Sequence, residues 1–239
     1  MKLGIMQPYF FPYIGYFQLM KHVDQWVVFD DIQFIDKGWI NRNRILHPDT
    51  KKQWLYITLP LHKRKQFDKI CNIHIKSEIN WKEEILGRLT AYKRNAPFYG
   101  ETINLINECF DTTDLNLSNF LVRCLKITAN YIGIQTPIKI QSLMNLDLGV
   151  IEHPGQWALK ISEKLKAREY INPIGGIDIF NKEEFNKKNI KLSFLAENTF
   201  QYSQRRKNFV CNLSIIDILM FNSQVSIKEI LNSYNLLKA

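Results

Sequence analysis

The chain opens MKLGIMQPYFFPYIGYFQLMKHVDQWVVFDD. KLGIM is a short apolar run. A loop from Gln7 to Tyr13 follows, and Gly15 then leads into YFQLMKHVD with helical spacing. WVVFDD is a second apolar run that ends in two acids. Strand, loop, helix and strand in so short a span define a βαβ unit, because two parallel strands need a crossover and that crossover is right-handed. Ligands of such sheets bind outside the carboxyl ends of the strands. The loop Gln7–Tyr13, rich in Pro, Tyr and Phe, leaves the first strand at that end.

The same alternation returns late in the chain. PIKIQSLM, EYINPI and IKLSFLA read as strands, Pro154 suits the first turn of the helix PGQWALKISEKLKA, and Gly175–Gly176 turn EYINPI into a further helix. Between the halves the pattern is mainly helical. One helix starts at Asn80, with Asn80 and Glu83 spaced as a capping box and Trp81, Ile85, Leu89 and Tyr92 on one face. Another opens near Ser118, carries Phe120, Cys124, Ile127 and Tyr131, and stops at Gly133. GWINRNRI is polar and turn-rich. QWLYITLPL and KICNIHIK alternate as the two strands of a hairpin, with Cys71 at a buried strand position. LSIIDILMF and SIKEILNSYNLL read as closing helices. The expected architecture is one α/β domain over residues 1–239. It has a parallel, Rossmann-like sheet, a mainly helical middle section and a small β-hairpin insertion.

With 239 residues, 46% of them hydrophobic, a sizeable core is expected and disorder is not. No apolar stretch approaches the ~20 residues of a membrane span, and the start lacks the pattern of a signal peptide. The expected location is the cytoplasm. The four cysteines form no C-x-x-C pair, which argues against a zinc or redox motif. The net charge of +9 suits an anionic partner, with peripheral contact to an anionic membrane face left open. No helix-turn-helix, zinc-finger or RNA-binding signature accompanies it, so nucleic acid is not expected.

The polar residues near strand ends are the site candidates. Gln7 can donate and accept hydrogen bonds, as reading a sugar hydroxyl or a pyrimidine edge requires. Tyr9 can stack on a ring, whereas Phe10 and Phe11 suit the core. Asp30 and Asp31 point opposite ways if extended; Asp31 is the candidate general base, with Gln33 on its face. Arg42 and Arg44 fall two apart, so an extended segment shows both on one face, and guanidinium groups bind phosphate bidentately. Asn41 adds an amide and Trp39 a flat surface. Gln201 and Gln204 offer a second wall. Asp217 follows Ser214 by three, as helix capping requires. His153 stands at a helix start and is the one histidine worth testing as a base. No acidic cluster completes a metal site, and no serine elbow, P-loop or Cys–His pair supports covalent catalysis.

MQPYFFPYIGYFQL, DDIQF, GWINRNRI, YKRNAPFY and QYSQRRKNF…LSIIDILMF, in this order along nearly the whole chain, resemble the WbqC-like family of bacteria. That resemblance implies a step in the synthesis of surface-polysaccharide (O-antigen) precursors. It implies a transferase that puts a glycyl or other acyl group on the amino group of a nucleotide-linked amino sugar. The partner is then an anionic small molecule and the co-substrate an activated acyl or glycyl donor, or ATP. One departure stands out: the Ser-Gly pair expected after EYINP is Gly175–Gly176 here. A second likeness is to nucleotidylyl transferases and ATP-dependent amide ligases with His-x-Gly-His after the first strand. Tyr13-x-Gly15-Tyr16 keeps the spacing, but tyrosine is neutral near pH 7 and supplies no imidazolium. A non-catalytic sugar-nucleotide-binding module is the third reading.

Overall fold

A computed structural model describes residues 1–239. Six strands form one sheet in the order β5-β2-β1-β6-β7-β8. They are β1 (Lys2–Met6), β2 (Gln25–Val28), β5 (Ile138–Ile140), β6 (Glu169–Pro173), β7 (Lys191–Glu197) and β8 (Tyr234–Lys238). All neighbours are parallel except β7 and β8. The first βαβ unit is present as read, with α1 (Ile14–His22) crossing from β1 to β2. A separate antiparallel hairpin joins β3 (Arg42–Leu46) to β4 (Trp54–Thr58).

Strand side chains alternate between faces, and here they divide the apolar residues into two clusters. Leu3, Ile5, Val27, Tyr170, Leu192 and Phe194 pack on one face with α5 (Gly155–Lys164) and α6 (Lys182–Lys187). Trp26, Val28, Ile171 and Leu195 join the larger cluster on the other face. That cluster includes α1, the helical middle section of α2 (Trp81–Leu89), α3 (Tyr99–Phe110) and α4 (Leu117–Tyr131), and α7 (Ile215–Phe221). Gly4 lets Trp26 lie on β1, since a Cβ there would come within 2.8 Å of the indole ring.

Several expectations need correction. The hairpin pairs Arg42–Leu46 with Trp54–Thr58, whereas QWLYITLPL and KICNIHIK meet only at one antiparallel bridge, Leu61–Ile75. The chain reverses at His47–Gln53, where Asp49 accepts the Lys51 N–H, and the polar GWINRNRI runs into β3. KICNIHIK instead forms a short 3₁₀ turn, Ile70–Asn72, because Ile70, Ile73 and Ile75 all go into the core and the Ile73 carbonyl accepts the Leu117 N–H. Cys71 is therefore half-exposed rather than a buried strand residue. The closing helix is shorter than read: α8 is Gln224–Ile230. SYNLLK supplies β8, where completing the open edge of β7 prevails over helical spacing. Gly175–Gly176 lie in a 3₁₀ segment, Ile174–Ile179, that precedes α6. Asn80 hydrogen-bonds the Glu83 carboxylate, but its side chain caps no backbone N–H. No helix is long and apolar enough to cross a membrane.

Candidate active site

In this sheet β1 is central. The chain steps from β1 to β2 on one side, while β6 and β7 lie on the other, so β1 and β6 flank a switch point. A cavity of about 330 Å³ opens there. Its lining comes from the loop after β1 (Tyr9, Tyr13, Gly15), from Trp39, Asn43 and Arg44, and from the ends of β6 and β7 (Pro173–Gly175, Leu195, Glu197), with Asn212. A larger cavity of about 680 Å³ adjoins it and shares Tyr13, Glu197 and Asn212. Phe200, Tyr202 and Phe209 form an aromatic wall there, with Gln201 and Lys207. The Phe200 and Tyr202 rings stack at 6.2 Å, and Phe209 meets Tyr202 edge-on at 5.2 Å.

The aromatic loop is held by polar anchors. Phe10 and Phe11 are buried in the core. The Asn43 amide donates to both of their carbonyls, at 3.1 and 2.8 Å. Ser214 Oγ donates to the Phe11 carbonyl at 2.7 Å, and the Ile215 N–H donates to Pro12. These bonds hold Phe11 at φ 43°, a backbone conformation that a bulky residue rarely adopts. Tyr9 and Tyr13 are thereby turned to the cavity. Burial raises both phenols, so they stay protonated and act as donors.

Arg42 and Arg44 lie on one face of β3, above an aromatic ladder. The Arg42 guanidinium stands over Tyr56 and donates to the Gly38 and Lys37 carbonyls. Arg44 sits between Trp39 and Trp54, about 5 Å from each ring centre. One of its Nη atoms donates to the Asn212 carbonyl at 3.0 Å, while its buried Nε–H has no partner. Arg42 is spent on the backbone, so Arg44 is the cation that lines the cavity.

Glu197 is the residue that sequence reasoning missed. It ends β7, as Asp30 and Asp31 follow β2, so the same strand-end signal marked it. Its carboxyl lies against Gly15, where a Cβ would collide with it and would also come within 2.6 Å of the Tyr13 ring. Glu197 as a residue is exposed, but its carboxyl is crowded against Gly15 and the Tyr13 ring, and this local loss of water raises it to about 7.

The other candidates are placed elsewhere. Asp31 pairs with Lys69 at 2.7 Å and His153 with Glu184 at 3.0 Å, and neither lines the two cavities. Asp30 is the inward acid, accepting from Ser118 Oγ at 2.6 Å and from the Ser142 N–H and hydroxyl. Gln33 donates to the Gln66 carbonyl, and Asn41 to Leu59. Tyr16 is buried against Trp26, and its hydroxyl donates to the Gln7 carbonyl at 3.1 Å. Gln7 itself lies outside both linings. Gln204 is buried, bonded to Val210 and to Asp217. Ser214, not Asp217, caps α7 with its side chain. Asp217 instead accepts from Tyr92 at 2.8 Å, Tyr202 at 2.5 Å and Gln204 at 2.8 Å, and burial raises it to about 6. Tyr9, Tyr13, Gly15, Trp39 and Arg44 are thus brought together in the smaller cavity, and Gln201 lines the larger. No group of three His, Cys, Asp or Glu side chains is arranged to hold a metal ion.

The sequence pattern of the WbqC-like protein family matches residues 7–229. The chain is also similar to the uncharacterized protein Rv1507c of Mycobacterium tuberculosis (strain ATCC 25618 / H37Rv). The two are 23% identical over 220 residues, which cover 91% of this chain and 92% of that protein. No solved structure matches the chain.

Proposed function

Because the chain belongs to the WbqC-like protein family, we propose that it is a transferase of bacterial surface-polysaccharide (O-antigen) precursor synthesis, working in the cytoplasm. It moves a glycyl or other acyl group from an activated donor to the amino group of a nucleotide-linked amino sugar. The observation that carries this reading is the pair of adjoining cavities with a shared wall of Tyr13, Glu197 and Asn212. Transfer needs two ligands whose reacting atoms meet, and much of its rate comes from holding them in that geometry. Arg44, with an unpartnered Nε–H, suits a phosphate of the nucleotide. The aromatic wall suits a sugar or base face. Tyr13 offers a hydroxyl donor to the oxyanion that forms as the carbonyl is attacked.

The test is direct. Purified protein is offered UDP- and dTDP-linked amino sugars with acetyl-CoA or glycine and ATP. Thermal stabilisation and product mass are then followed. Binding of a nucleotide sugar that Arg44→Ala weakens at least tenfold, with an acylated product, bears the reading out. Neither binding nor product from any pair ends it, and binding without product moves the protein to the sugar-nucleotide-binding class.

One observation favours a second reading, an ATP-dependent ligase or nucleotidylyl transferase: Tyr13-x-Gly15-Tyr16 opens α1 beside the switch point. Against it, the space that Gly15 leaves is filled by the Glu197 carboxyl, which repels a triphosphate when ionised. Release of AMP or pyrophosphate would favour the ligase.

A further inference from the structure

Glu197 is the one acidic residue in the lining of either cavity, in a chain of net charge +9. None of the protein's ion pairs includes it, and no side chain hydrogen-bonds to its carboxyl. The carboxyl is packed on Gly15 and the Tyr13 ring, at the wall that both cavities share. The titratable and charged groups that share its surroundings are the Tyr9 and Tyr13 phenols, Arg44 in the lining of the smaller cavity, Tyr202 and Lys207 in that of the larger one, and Tyr234 paired with it on β8. Neither cation is paired with it. A carboxylate so placed, and left without a counter-charge, is complementary to a ligand that brings an amine.

We propose that Glu197 is a catalytic residue that receives the amino nitrogen of the acceptor sugar and takes its proton during transfer. The role rests on the transferase reading above. The amine nitrogen attacks the carbonyl carbon of an acyl thioester or comparable activated acyl donor. The C–N bond forms, and the bond from carbonyl carbon to leaving group breaks, its electron pair departing with the leaving group. The N–H proton passes to the Glu197 carboxylate, which later releases it to solvent. Packing on Gly15 and Tyr13 raises the carboxyl to about 7, where it exchanges a proton close to neutral pH.

The test compares wild type, Glu197→Gln and Glu197→Asp. Affinities for UDP-glucosamine and UDP-glucose are measured by calorimetry, and turnover with UDP-glucosamine and acetyl-CoA is followed across pH. Wild type is expected to prefer the amino sugar at least tenfold. Glu197→Gln should erase that preference and leave UDP-glucose affinity within about twofold. It should lower kcat at least a hundredfold and abolish the fall in rate below neutral pH. Glu197→Asp, which keeps the charge, should retain the preference, and it carries the test if the Gln variant does not fold. Preference and turnover that survive Glu197→Gln overturn the role and leave the transferase reading standing. Failure of wild type to bind or acylate either sugar overturns both.

Discussion

Gly15 has no room for a side chain because the Glu197 carboxyl and the Tyr13 ring occupy the space. Gly15→Ala should push aside the Glu197 carboxyl, the far end of a flexible side chain, and the Tyr13 ring edge, so its net stability cost should stay at about 1 kcal/mol or less. Urea unfolding would measure it, and a stabilised variant would contradict the packing. Gly175 is the opposite case: it lines the smaller cavity, and a Cβ there meets nothing within 4 Å. The serine that the family resemblance leads one to expect fits without strain. Gly175→Ser should change stability by no more than about 0.5 kcal/mol, so any change it makes in turnover reports on the site itself. Glu197 also leaves a pH signature. Its carboxyl is raised in the folded state from 4.5 to about 7, so the folded protein binds the extra proton. That contribution is present at low pH and is lost as pH rises from about 4.5 through 7. Glu197→Gln should match wild-type Tm near pH 5 after a constant offset and gain on it towards pH 8. An unchanging difference across that range would show that the carboxyl titrates normally.

At the scale of elements, two buried polar hubs shape the site. Asn43 ties β3 to the loop after β1 through the Phe10 and Phe11 carbonyls. Asn43→Ala would leave both acceptors buried without that donor, which costs about 1–3 kcal/mol. It would also loosen the hold on Phe11, whose carbonyl would keep only the Ser214 hydroxyl. The expected result is a lower urea midpoint and weaker nucleotide-sugar binding. Asp217 on α7 draws together Tyr92, which follows α2, and Tyr202 and Gln204 from the loop that walls the larger cavity. Asp217→Ala would leave the buried Tyr92 and Tyr202 hydroxyls without their acceptor, at about 1–3 kcal/mol each, so it should lower the unfolding midpoint and loosen that loop to proteolysis. A variant as stable as wild type would mean that the three donors find water instead. The β1–α1–β2 unit was readable because its residues interact locally. The hairpin is less legible, because Ile70, Ile73 and Ile75 imitate strand alternation while their backbones bond Ile32, Leu117 and Leu115.

For the molecule as a whole, a charge of +9 surrounds a site built on a single lining arginine beside Asn212. Long-range attraction should add to nucleotide-sugar affinity at low ionic strength and fade as salt shortens the screening length from about 30 Å at 0.01 M to about 8 Å at 0.15 M. On the proposed function, the affinity of a UDP-sugar should fall severalfold across that range. Insensitivity to salt would assign the excess charge to something other than this ligand.

What the residues determined by themselves was the parallel sheet, the carboxyl edge of its strands and the aromatic loop at that edge. These follow from apolar periodicity, a crossover that must be right-handed, and Pro and Gly at the strand end. Tertiary structure alone decided which polar groups share a cavity. Arg42 and Arg44 are alike in sequence, yet one is consumed by the Lys37 and Gly38 carbonyls and the other faces the crevice. Asp31 and Glu197 both stand at the ends of apolar strands, yet Asp31 meets Lys69 and Glu197 meets no cation. Only the sheet order, which sets β7 beside β6 and β6 beside β1, brings residue 197 over residue 15. No local pattern encodes a contact across that separation, because it depends on where each strand docks rather than on its neighbours in the chain.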